Sequence, residues 1–157
     1  IELGSDDYIA YAGRGHAHQG LEHFEDALAD FERAIELDPH ADWFRVSRGE
    51  THRRMGRFED ALADFDRAIE LGSDDYIAYA GRGHAHQGLE HFEDALADFD
   101  RAIELDSQIA WAYAGRGETH RLMGRFEDAL ADFDRAIELD PDYVWAYVGR
   151  GHTHQGL

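Results

Sequence analysis

The sequence predicts an all-α solenoid of tandem two-helix repeats, and three observations lead there. Residues 1–38 recur at 69–106 with one change, Glu32 against Asp100. Within that unit the string Phe-Glu-Asp-Ala-Leu-Ala-Asp-Phe begins at Phe24, Phe58, Phe92 and Phe126, so the fundamental period is 34 residues and the units alternate in two flavours. A period of this size belongs to stacked repeats, because one hairpin cannot bury its apolar face alone. Finally, apolar residues inside each unit return at three- and four-residue steps, the spacing of one helix face.

The second helix of each unit is the clearer one. Phe92, Ala95, Leu96, Phe99, Ala102 and Ile103 share one side, while Glu93, Asp94, Asp100 and Glu104 hold the other. The first helix, from Tyr76 to about Leu89, carries Ala78, Tyr79, Gly83 and Ala85, small enough for a neighbouring helix to approach closely. Between the two, Gly88 in one flavour and Gly56 or Gly124 in the other is expected to take positive φ at the helix end. Asp74 and Asp75 can cap the next helix, and Pro39 and Pro141 can stop the one before. About fourteen residues per helix give rods of roughly 21 Å.

Composition narrows the chemistry. The 157 residues are 43% hydrophobic and contain no cysteine, which excludes disulfide scaffolds, zinc ribbons and thiol nucleophiles. Thirty-four acids against fifteen bases, all arginine, give a formal charge of -19, which repels a polyphosphate backbone and speaks against a nucleic-acid partner. No apolar run is long enough for a spanning helix, so no membrane partner and a cytoplasmic location are expected. Twenty of the acids fall on second helices. The near-identity of the repeats implies recent duplication or deliberate construction, and the chain is expected to be a piece of a longer array.

Aligned on the period, the units show an aromatic, a glycine, an alanine with phenylalanine four later, a second alanine and, in some units, proline. These are Tyr11, Gly15, Ala27, Phe31, Ala34 and Pro39 in the first unit, and Tyr79, Gly83, Ala95, Phe99 and Ala102 in the third. In this the whole chain resembles the tetratricopeptide repeat family, of bacterial type. The resemblance implies a right-handed α-solenoid of helix-turn-helix repeats. It sets out residues 1–7 as the tail of a preceding repeat, full repeats at 8–41, 42–75, 76–109 and 110–143, and a lone first helix at 144–157. The sequence departs from the family pattern where leucine before glycine is arginine (Arg14, Arg48, Arg82, Arg116, Arg150). The next aromatic is histidine (His18, His52, His86, His120, His154), two repeats carry serine (Ser73, Ser107) in place of proline, and Arg45 replaces one leading aromatic.

Each of those arginines needs a carboxylate if it is buried, and Asp30, Asp64, Asp98 and Asp132 each follow one by sixteen residues on the facing helix. A repeating internal ion pair is expected, with Arg33, Arg67, Arg101 and Arg135 competing for the same carboxylates. Arginines presented to an anion in the groove are the alternative. The eleven histidines invite a metal reading, most sharply at His16/His18, His84/His86 and His152/His154, but residues two apart on a helix point about 200° from each other and cannot share an ion. His18 with Glu22, and His86 with Glu90, have better spacing at a helix end and would make only a weak two-ligand site. The five-histidine column is read instead as capping buried polar groups, and no metal site or cofactor is assigned. Gly13-Arg14-Gly15 lacks the preceding strand and third glycine of a phosphate loop. A catalytic pair would be one special place in a sequence that has none, so no enzyme is expected.

By the family resemblance the first helices line a concave groove. Its lining is expected to include Trp43, Glu50, Arg53 and Arg54, then Trp111, Glu118 and Arg121, then Trp145, with His16, His84 and His152 from the other flavour. Tryptophan beside arginine is the pairing that dominates interface energies, and a peptide or protein segment with apolar anchors and mixed charge is the expected ligand. The tryptophans packing only against adjacent repeats is the alternative. The terminal surfaces, formed by 144–157 and by the stub at Ile1, Glu2 and Leu3, are expected to expose apolar area and drive head-to-tail self-association. A larger bacterial signalling or regulatory ATPase sensor is the expected host, by analogy alone. A self-assembling structural array, and less readily a histidine-rich metal binder, are the rival functions.

Overall fold

A computed structural model describes residues 7–156, among which there are nine α-helices and no strand. The first unit, residues 1–74, holds α1 (Tyr8–Gly20), α2 (Phe24–Leu37), α3 (Asp42–Arg54) and α4 (Phe58–Glu70). The second, residues 75–157, holds α5 (Tyr76–Gly88), α6 (Phe92–Leu105), α7 (Ala110–Leu122), α8 (Phe126–Leu139) and α9 (Val144–Gly156). The stub at 1–6 and the final Leu157 lie outside the described residues.

Second helices are the organising element because each puts a phenylalanine on its apolar face where a first helix offers glycine. Phe31, Phe65, Phe99 and Phe133 are all fully buried. A methyl group on Gly83 would meet the Phe99 ring of the same repeat at 3.2 Å, and one on Gly115, in the following first helix, would meet that ring at 2.6 Å. Glycine inside a helix costs roughly 0.5–1 kcal/mol relative to alanine. Burying a phenylalanine against it returns roughly 1.5–3 kcal/mol, so the exchange favours the hairpin. In the second unit Phe99 gathers Ala80, Ala95, Ala102, Ile109 and Ala112 around it, and Phe133 gathers Ala114, Ala129, Ala136 and Ala146.

The second repeat departs from this pattern and compensates locally. Arg45 stands where the other repeats have tyrosine, and its Nη1 donates to the Pro39 carbonyl at 2.8 Å. At the equivalent place in α9, Tyr147 donates its hydroxyl to the Pro141 carbonyl at 3.0 Å. The lost ring is restored one position earlier by Phe44, which occupies a site that is alanine elsewhere, is fully buried, and meets Tyr8 edge-on at 5.8 Å. Burial lowers the Arg45 pKa, with Arg48 and Arg67 adding to the effect.

The helix ends follow the sequence in part. The Asp75 carboxylate accepts from the Ile77 N–H at 2.9 Å, and α2 and α8 stop two residues before Pro39 and Pro141. Gly56 and Gly124 take φ of +74° and +75° as expected, but Gly88 remains inside α5. In that flavour the left-handed residue is Glu90, and Glu22 in the first repeat, each at φ +62°. Counted back from the phenylalanine that opens the second helix, Glu90 and Gly124 occupy the same place. The backbone of the turn is therefore shared, and one flavour accepts a left-handed glutamate at about 1–2 kcal/mol.

Candidate functional site

Each repeat buries a polar layer between its two helices. The guanidinium of Arg48 donates twice to Asp64, at 2.8 and 2.6 Å, and Arg82 to Asp98 and Arg116 to Asp132 do the same at 2.9 and 2.6 Å. Arg14 pairs with Asp30 in the same two-point way. The carboxylates are the buried partners and the arginines are only partly covered. These hydrogen bonds to aspartate raise the pKa of Arg14, Arg48 and Arg116.

Saturation of the aspartates corrects the expected competition. Arg33, Arg67, Arg101 and Arg135 turn away to Glu36, Glu70, Glu104 and Glu138, three residues further on. Arg116 spends a further nitrogen on Asp100 of the preceding second helix, and Arg150 in α9 bonds Asp134 in the same way, each at 2.7 Å. The histidine column lies beside this layer. His18, His52, His86 and His120 set Nε2 3.8–3.9 Å from the paired aspartate, and their buried Nδ1 atoms have no hydrogen-bond partner. Capping by these rings is thus incomplete. Desolvation lowers the pKa of His52.

The first helices of each unit lie side by side, α1 beside α3, and α5 and α9 on either side of α7. In the first unit α1 carries His16, and α3 carries Trp43, Glu50, Arg53 and Arg54. Trp43 is 42% exposed and leans on Phe44, with ring centroids 3.8 Å apart. Glu50 accepts both of its hydrogen bonds from Arg53, at 2.7 Å each. Arg54 donates to the Gln19 carbonyl at 3.0 Å and covers the Phe24 ring, and His16 lies 3.4 Å from the Ser47 hydroxyl.

The second unit repeats the arrangement with more apolar surface. Trp111 stacks on His84 at 6.1 Å, Arg121 closes a two-point pair on Glu118 at 2.7 and 2.6 Å, and Trp145 in α9 is 71% exposed. His152, also in α9, is exposed. The Glu118 hydrogen bonds raise the Arg121 pKa. Gln19 and Gln87 on these faces are engaged in packing, donating to Thr51 and Thr119 of the next first helix at 3.1 Å. On the other side of the first unit a cavity of about 370 Å³ opens beside α2, where Arg48 and His52 face Glu25 and Glu32. Arg48 is already paired with Asp64, which gives an anion little to gain there.

Paired antiparallel helices at a 34-residue period, with a phenylalanine held against glycine in every pair, are matched by known proteins. The tetratricopeptide repeat pattern fits residues 13–76, 46–86, 76–109 and 110–143. The chain belongs to the tetratricopeptide repeat family. Its fold class is the tandem-repeat α-solenoid of that family. A crystal structure of MamA aligns over 98% of this tetratricopeptide chain and 84% of its own, with TM-score 0.81 and 22% identity. YrrB, described as a TPR protein with an unusual peptide-binding site, aligns over 95% and 77%, with TM-score 0.74 and 26% identity. The first TPR of Spaghetti (RPAP3), bound to the HSP90 peptide SRMEEVD, aligns over 79% and 98%, with TM-score 0.73 and 21% identity. No protein of curated function matches the sequence. Among the described residues no helix is long and apolar enough to cross a membrane.

Proposed function

We propose that this tetratricopeptide chain is a non-catalytic interaction scaffold that takes a peptide or protein segment along its first-helix faces, above all the face of α5, α7 and α9. The observation that carries the reading is the pairing on that face of accessible apolar groups with cancelled charge. Ile77, Trp145 and Val148 are exposed and Trp111 is partly so, while Glu118 and Arg121 neutralise each other beside them. A ligand with apolar anchors would bury the rings, and its own charges would exchange with the Glu118–Arg121 pair without facing the chain's formal charge of -19. The peptide-binding site that the YrrB description records and the peptide-bound RPAP3 domain support the same use of a related fold.

A second reading has its own support. Val144 and Trp145 are 66% and 71% exposed on α9 and, with Tyr147 and Val148, form an apolar surface suited to another copy of the chain. One experiment separates the two. Peptides selected from a displayed library are titrated by fluorescence anisotropy against the wild type and Trp111→Ala/Arg121→Glu, with light scattering of the free chain across a concentration series. At least tenfold weaker binding to the variant is expected for a site on this face. Undiminished binding of every selected peptide removes the site from the face, and a mass that grows with concentration points to self-association.

A further inference from the structure

We propose that His18, His23 and Asp26, and their copies His86, His91 and Asp94, form two equivalent sites for a divalent transition-metal ion, zinc being the best suited. In each trio the ligand atoms lie within 4.8 Å of one another. The trio is assembled by the turn. His18 is in the last turn of α1, His23 is the residue that caps α2, and the His23 N–H donates to the His18 carbonyl at 2.9 Å, which fixes the two backbones; His91 and His86 repeat this bond at 2.9 Å. The imidazole rings face each other at 5.9 and 5.8 Å. Asp26 and Asp94, in the first turns of α2 and α6, make no ion pair among the described residues.

A buried Nδ1 without a partner recurs at His18, His52, His86 and His120, and it is the second histidine, His23 or His91, that sets the trios at His18 and His86 apart. His18 and His86 hold Nε2 3.9 and 3.8 Å from Asp30 and Asp98, the carboxylates of the buried pairs. At that distance the carboxylate is a neighbouring charge and not a hydrogen-bond partner. The other ring nitrogen, Nδ1, is buried without a partner in both repeats. In the second repeat, where the equivalent ring is His52, Nδ1 lies 4.0 Å from Asp60, the counterpart of Asp26. Asp26 and Asp94 likewise stand within 4.8 Å of a ligand atom of His18 and His86.

Bonds of 2.0–2.2 Å to zinc place tetrahedral ligands about 3.3 Å apart, so the trio has to close by at most about 1.5 Å. His23 and Asp26 are exposed and can supply that movement. The positive end of the α2 dipole opposes a cation by less than about 1 kcal/mol, which one carboxylate offsets. Two imidazoles and a carboxylate suit a borderline ion such as zinc better than magnesium or calcium, which favour all-oxygen ligands. The fourth position is left for water. Repeats two and four lack the site because Arg57 and Arg125 stand in place of the second histidine and reach Glu25 and Glu93 at 2.6 and 3.0 Å.

Those repeats also supply the test variant, since arginine at this place is known to suit the turn. Zinc chloride is titrated by calorimetry into the full chain, His23→Arg/His91→Arg and Asp26→Asn/Asp94→Asn, with thermal unfolding followed in parallel. Two ions per chain at micromolar zinc and a Tm rise of several degrees are expected for the wild type, with no response to magnesium. The histidine variant should keep its metal-free Tm and lose the zinc response, and the aspartate variant should bind at least tenfold more weakly. Absence of zinc heat in the wild type, or equal stoichiometry and affinity in both variants, overturns the assignment.

Discussion

Within the second unit, repeat three passes from α5 to α6 through Leu89, Glu90 and His91, whereas repeat four passes from α7 to α8 through Met123, Gly124 and Arg125. The backbone is the same in both, with one left-handed residue two places before the phenylalanine and a bond from the next N–H back to the histidine carbonyl, at 2.9 Å in each. Beneath the turn, the phenylalanine between glycines and the Arg–Asp pair are repeated without change. The difference teaches that the packed layer specifies the hairpin and leaves the turn free to vary. Repeat four uses that freedom for an unstrained glycine and an arginine directed to Glu93 of the preceding repeat. Repeat three accepts a strained glutamate and places two histidines together.

The largest effect should come from the part the two repeats share. Asp98→Asn and Asp132→Asn each remove the two-point anionic partner of a partly buried guanidinium, and each should cost about 3 kcal/mol in urea unfolding, at the lower end of what breaking a buried pair costs. Costs that differ by more than about 1 kcal/mol would break the equivalence of the two layers. Exchanging the turns should have smaller and opposite effects. Glu90→Gly relieves about 1–2 kcal/mol of left-handed strain and gives back about 0.4–1 kcal/mol to unfolded-chain entropy, a net gain of about 0.5–1 kcal/mol. Gly124→Glu should lose a similar amount, and no change in either would mean that the shared backbone relaxes around the side chain.

The smallest effect should appear on the acid limb. Burial holds the His52 pKa below its unfolded value near 6.5, so as pH falls the unfolded chain takes up the proton first. Stability should fall as pH drops through about 6.5 and continue falling until the folded-state pKa is passed. His52→Gln should flatten that part of the curve, as measured by chemical unfolding at a series of pH values.

The architecture was legible because it is written four times. The Arg–Asp pairs could be read from a constant sixteen-residue offset between facing helices, and the first-helix residues follow from the period. Three features were less accessible. The left-handed residue was expected at Gly88 because glycine is the usual choice, yet the turn is framed by the phenylalanine and places that conformation on Glu90. Arg33 was expected to compete for Asp30, but two bonds from Arg14 already saturate that buried carboxylate. The His18–His23 juxtaposition has a five-residue spacing that no single helix brings together. Comparison with Arg57 and Arg125 was the available signal, since only one flavour carries histidine there. The histidines at 16, 84 and 152 and the three tryptophans were placed on first helices by the period, but their different exposures depend on what each neighbouring helix offers.

The ring of Phe99, which meets Gly83 of its own repeat and Gly115 of the next, has a geometric consequence for the second unit. Both glycines approach the outer edge of the ring, at Cε1 and Cζ, so the reach of one phenylalanine is the spacer between α5 and α7. A shorter or branched side chain there would alter the pitch between successive hairpins as well as weaken them. Every later hairpin inherits that error, so a change of a few tenths of an ångström at one gauge would displace the far end of a long array much further.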